Sequence, residues 1–235
     1  MWTKHLACGL ALIAGAIGAA EAQDAKTAYS AMAPLTEYLV PNETEEIALA
    51  RSAAPPSVSA GADVLTLTSH GYKTSIKGTN GFVCLVERSW AAAFADAEFW
   101  NPNLRAPICH NRAAVRSVLA GYILRTGWVL AGISTSEMIS RTQAALAANE
   151  FVLPEAGAIS YMMSKQGHLH DADGHWHPHV MLYVVNTDAA SWGANLDGSP
   201  VFADGSPIFS QKGRPEPATT FFITVTRWSD GTPDT

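Results

Sequence analysis

Basic charge is what this chain most plainly lacks. Lys and Arg number 15 against 21 Asp and Glu, charged residues make up 15% of the 235, and the formal net charge is -6. No cluster of Lys and Arg offers the phosphate-neutralising surface that nucleic acid or an anionic membrane would require, which argues against both as partners. Long apolar runs are missing as well: beyond the first residues no stretch reaches about 18 uninterrupted apolar positions, so no membrane insertion is expected once a leader is removed. The motifs H-E-x-x-H, G-x-S-x-G, the P-loop and S-x-x-K are absent. Their absence removes support for a zincin, an α/β-hydrolase, a P-loop NTPase and a penicillin-binding type of acyl transferase.

What is present starts with an export signal. Lys4 and His5 precede an apolar run from Leu6 to Ala20, and Ala20-Glu21-Ala22 puts small residues where a signal peptidase reads. Residues 1–22 are therefore expected to be a signal peptide and the protein to be periplasmic or secreted. Residues 23–235 should form a single globular domain with a loose, Ala-rich N-terminal arm to about residue 36. Cysteine is scarce, three in all, and Cys8 leaves with the leader. Cys84 and Cys109 remain as an even pair in an oxidising compartment, and a disulfide between them would contribute roughly 3 kcal/mol in the chain-entropy model. The alternative makes Cys109 and His110 metal ligands.

Local patterns give the order of elements. Asn42 with Glu45 reads as a capping box for a helix to about Ala53, stopped by Pro55-Pro56. Leu65 and Leu67 alternate with Thr66 and Thr68, which predicts a strand. In YKTSIKGTNGFVCLVER the central Asn80-Gly81 predicts a type I′ hairpin with Ile76 opposite Leu85. Trp90 to Arg112, broken by Pro102 and Pro107, reads as loop. Asn111 caps an apolar i, i+3, i+4 pattern through Ile133, and Ser134 with Glu137 opens a second helix to about Ala148, together an αα-hairpin. Strands follow over Ile159–Ser164, Val180–Val185 and Phe221–Thr226, with Ile159, Tyr161 and Met163 alternating with Ser160 and Ser164. The fold class is α+β: a mainly antiparallel sheet with an αα-hairpin packed on one face.

The chemistry concentrates in one stretch. GHLHDADGHWHPH, Gly167 to His179, holds five of the eight histidines, His168, His170, His175, His177 and His179, with Asp171 and Asp173 between them. It lies in an unusually long interstrand connection, and long loops in compact domains are commonly functional. If His175 to His179 is extended, its three imidazoles line one face, where two can reach a single ion at about 2.0–2.1 Å. The candidate metal ligands are accordingly His170, His175, His177 and His179, with Zn or Cu as the expected transition-metal ion and Asp171 or Asp173 holding a ligand ring. Glu87, Glu98 and Glu155 are candidate general bases beside a metal-bound water. His70 and His110 are placed at turns. Trp90, Trp100, Trp176, Trp192 and Trp228 are core or loop anchors that would also suit an aromatic or carbohydrate cleft.

Three functions fit these features. An exported protein binding a transition metal through the His-rich loop, as a metal-dependent hydrolase or oxidoreductase, comes first. A non-catalytic metal-binding or storage protein is the second, and a module that binds a small-molecule or polymer ligand, or is purely structural, without metal is the third.

Overall fold

The computed structural model describes residues 29–150, 152–172, 174–203 and 215–235; the expected leader, the start of the N-terminal arm and Asp173 lie outside them. Helix α1, Glu43–Arg51, starts where Asn42 accepts from the Thr44 amide at 2.9 Å, with Glu43, Glu45 and Glu46 in the positive first turn. Pro56 then opens a single turn, α2, Pro56–Ser59, at the position where its missing N–H costs nothing.

Eight strands among the described residues form one sheet: β1, Asp63–Thr68; β2, Gly71–Ile76; β3, Val83–Glu87; β4, Ala106–His110; β5, Ala158–Met162; β6, His179–Val185; β7, Val201–Ala203; and β8, Ala218–Thr224. Their order is β2-β1-β3-β4-β5-β6-β8-β7, and β1 with β3 is the parallel pair in an otherwise antiparallel sheet. The α+β class is therefore what the chain adopts. The order also corrects the expected Asn80-Gly81 hairpin. β2 pairs with β1 through the tight turn at Ser69 and His70, and β3 lies on the other side of β1. The loop between β2 and β3 crosses the start of β1, where Thr79 and Asn80 donate to the Gly61 carbonyl and Gly78 donates to Asp63. A Cβ at Gly78 would sit 2.3 Å from backbone atoms of Ala62 and Gly61, so only glycine permits this crossing. Asn80 is spent on clasping that loop, donating to Val58 O at 2.7 Å and accepting from Phe82 N at 3.0 Å.

β4 is a second correction, since it lies inside the stretch expected to be loop. Pro107 is tolerated there because β5 pairs with β4 only at Cys109 and His110, leaving the proline with a ladder neighbour on one side alone. Cys84 and Cys109 stand directly opposite in the β3–β4 ladder and form a disulfide.

Helices cover both faces of the sheet rather than one. α1 packs Ala50, with Ile47 and Leu49, on the face carrying Val64, Cys84, Val86 and Cys109. The other face, with Leu85, Ile108, Ala158, Met181 and Phe222, carries the main core, which also takes in Trp90, Phe99, Tyr122 and Val129. Asn111 accepts from the Ala114 amide at 2.9 Å and starts α3, Arg112–Ala114, which runs through a π-helical segment, Val115–Leu119, into α4, Ala120–Leu130. The expected second helix follows as α5, Thr135–Ala147, capped by Ser134 and burying Met138 and Thr142.

At the edge of this core lies a buried ion pair. Arg88 is wholly buried, and it donates to Glu46 at 2.8 Å, to Tyr38 O at 2.6 Å and to Val86 O. Glu46 also accepts from Leu67 N at 3.1 Å, and Tyr122 accepts from Arg88 N at 2.8 Å. Replacing Glu46 by Ala strands the guanidinium, and urea unfolding should show a loss of about 3–5 kcal/mol, most of it recovered in Glu46→Leu/Arg88→Met. A loss below about 1 kcal/mol, as for an exposed pair, would show that the pair does not hold these elements.

Candidate functional site

The main-core face of the sheet does not close fully against the helix above it. Alternation puts Glu87, Ala106, Ile108, Met162, Met181, Tyr183, Thr220 and Phe222 on that face, while Ser117 and Val118 of the π segment and Gly121, Tyr122 and Arg125 of α4 lie opposite. Between them is a cavity of about 240 Å³, bordered also by Ala91, Ala92, Val152, Pro154 and Pro217. A π segment carries an extra residue in its turn, an irregularity often found at functional sites, and here it supplies part of the cavity wall. Ser117 donates to Ala113 O at 2.8 Å and so keeps its hydroxyl out of play.

Three polar side chains of the sheet floor form a chain. Ser160 Oγ lies 2.6 Å from His110 Nδ1, and His110 Nε2 lies 3.8 Å from Glu87 Oε1. Ser160 and His110 are both at 0% exposure, whereas Glu87 reaches the cavity. Among the described residues His110 Nε2 has no hydrogen-bond partner. If Nδ1 carried the proton, the bare Nε2 would face a carboxylate; Ser160 donating to Nδ1 instead leaves Nε2–H directed at Glu87, the arrangement electrostatics favours. At the cavity's far wall Arg125 pairs with Glu216, donates to the carbonyls of Trp90 and Ala92 at 3.1 Å each, and lies 4.4 Å over the Phe94 ring.

His110 is thus a core residue of β4 rather than a turn residue, and Ser160 is buried opposite it in the β4–β5 ladder. The signal was available in APICH, where Ala106, Ile108 and His110 share one face, but Pro107 concealed the strand. Ala158 and Ser160 are small, and that lets α3 and the π segment approach β5 closely.

The histidine stretch is placed elsewhere, and its members are held apart. Only His179 belongs to β6; Gly174, at φ +68°, pairs with His170 in a tight loop that ends just before His175. His179 is buried, donates through Nδ1 to the His177 carbonyl at 2.8 Å, and packs 4.6 Å from the Trp176 ring and 5.8 Å from Phe222. His177 bonds Asp234 at 2.6 Å, and His175 stacks on Trp228 at 5.1 Å. His168 meets Asp171 at 2.9 Å, and His170 Nε2 stands 3.7 Å from Glu98. Asn101, fully buried, joins these two by donating to Asp171 at 2.9 Å and to Glu98 at 2.5 Å. Tyr29, followed by His168 and Asn101, donates to Asp171 and holds its pKa down to about 2. Among the described residues no three His, Cys, Asp or Glu side chains are arranged to hold one ion. Glu155 is engaged at the surface with Arg116. The chain matches no family model, no curated protein and no solved structure.

Burial pushes the His179 pKa down to about 4 from its ordinary 6.5. Between those values the unfolded chain binds a proton that the folded protein refuses, so stability falls as pH drops through that window, by on the order of 3 kcal/mol in full. Urea unfolding at about pH 7 and pH 4.5 should show the loss in the natural chain and a much smaller one in His179→Phe. Equal losses in both would remove His179 from this role.

Proposed function

We propose that this protein binds a small, mainly apolar organic ligand in the cavity between the sheet and the π-to-α4 helix. The observation that carries the reading is the combination of an apolar-walled space with a few inward polar groups, the usual form of a small-molecule site. Its volume of about 240 Å³ sits just below the roughly 300–1,000 Å³ common for drug-sized ligands, which suits a molecule of two or three aromatic rings. The Cys84–Cys109 disulfide supports an oxidising compartment. Among the described residues no helix is long and apolar enough to cross a membrane. Together with the leader read from the sequence, these features support an exported, single-domain ligand-binding module. Titration with the neutral probe N-phenyl-1-naphthylamine should give saturable fluorescence enhancement, weakened about tenfold or more in Val118→Trp, whose indole fills the space. Equal binding by the variant would place the probe elsewhere and overturn the reading.

A second reading keeps the transition metal. The observation favouring it is the network around Asn101, which gathers His168, His170, Asp171 and Glu98 from two loops. Side-chain rotation would let His170 and a neighbour serve Zn or Cu, in storage or as a metal-dependent hydrolase or oxidoreductase, whereas His175, His177 and His179 each have other engagements. Untagged protein purified without added metal should then carry Zn or Cu; less than roughly a tenth of an equivalent would rule this reading out.

A further inference from the structure

Because the cavity is so largely apolar, the few polar groups reaching it decide what a ligand must carry. Arg125 is the one cationic side chain in its lining among the described residues. That guanidinium is committed to two backbone carbonyls, to Glu216 and to the Phe94 face. A carboxylate or phosphate ligand would find no cation to receive it. Acceptors are what the lining offers instead. Glu87 brings its carboxylate in at the end of β3, its side chain 13% exposed, and no donor among the described residues lies within hydrogen-bond distance of it. Glu216 Oε2 is buried and likewise without a hydrogen-bond partner among the described residues. A carboxylate held against apolar walls is costly until a positive group pairs with it. Tyr122, Tyr183 and Phe222 line the same space, and aromatic faces attract organic cations.

We infer that the ligand is an organic amine, a protonated primary or secondary amine on an apolar or aromatic body, whose ammonium donates to Glu87 while His110 positions that carboxylate from behind. The inference rests on the cavity being a ligand site and adds its chemical class. His110 suits the positioning role because its Nε2 has no solvent to turn to. Glu87, 3.8 Å away, is the acceptor it faces. Ser160, bonded to Nδ1, holds the ring in the tautomer that role requires. No covalent step is involved.

Tryptamine, tryptophol and indole-3-acetate share one ring system and differ in charge, so calorimetric titration of the full chain at neutral pH separates the possibilities. Tryptamine should bind about tenfold or more tighter than tryptophol, and indole-3-acetate weakest. Glu87→Gln should remove the preference by weakening tryptamine about tenfold more than it weakens tryptophol. His110→Phe should lower the ratio of tryptamine to tryptophol affinity, and His110→Gln, which keeps a donor near the Nε2 position, should restore that ratio. If tryptophol binds as tightly as tryptamine, or Glu87→Gln keeps the preference, the amine assignment is overturned and the cavity reading stands. If none of the three binds, both fall. Tryptamine binding that survives Val118→Trp would mark attraction to the acidic surface and overturn the assignment. Should Glu87→Gln fail to fold, the order of the three ligands on the natural chain still decides.

Discussion

A single buried guanidinium ties the fold together. Arg88 stands at the end of β3 and reaches Glu46 on α1, the Tyr38 carbonyl on the N-terminal segment and the Val86 carbonyl, while its own amide meets Tyr122 on α4. Elements on both faces of the sheet are thereby referred to one charge. Such a pair gives little net stability against an apolar replacement, because desolvating two ions cancels most of their attraction. What it supplies is geometry, since each partner left alone would be a buried, unpaired charge. Tyr72 extends the arrangement by donating to Val86 O at 2.6 Å and accepting from Tyr122, with burial pushing both phenols well above their ordinary pKa.

The same region sets the shape of the cavity. Tyr122 is held by its hydroxyl at the Arg88 end, and the π segment widens the helix one turn earlier, so the helix cannot settle flat on the strands beneath it. Large side chains fill most of the face, yet Ala106 and Ala218 are short, and the space above them stays open. A cavity formed this way follows from backbone constraints on either side of it, which is why it persists in a core that otherwise packs closely.

The α+β class, the three helix caps and the pairing of Cys84 with Cys109 were legible in the sequence, because each rests on local chemistry: an Asn or Ser oxygen over a first turn, and two cysteines with no other partner. The topology was not. Asn80-Gly81 is a strong hairpin pattern, but whether it closes a hairpin depends on which strand arrives beside it, and a glycine at 78 that permits backbone to cross backbone cannot be told from a flexible one. Pro107 hid β4 for a similar reason, since only the neighbouring strand's length shows that the proline is harmless. The histidine stretch drew attention by composition, whereas His110 and Ser160 became a pair only through the β4–β5 ladder, across fifty residues of chain. Glu87 was visible as a carboxylate, but what sets it apart is its position over an apolar space.

The disulfide lies directly across the ladder that carries Glu87 and His110, with Cys84 opposite Cys109, Val83 opposite His110 and Glu87 opposite Ala106. Strand faces alternate with a period of two, so a slip of one residue between β3 and β4 would turn the carboxylate or the imidazole to the side covered by α1. The bridge forbids that slip covalently. Oxidation of two cysteines on the far face thus locks the alignment of the polar groups on the near one, and the floor of the cavity inherits its precision from a bond it never touches.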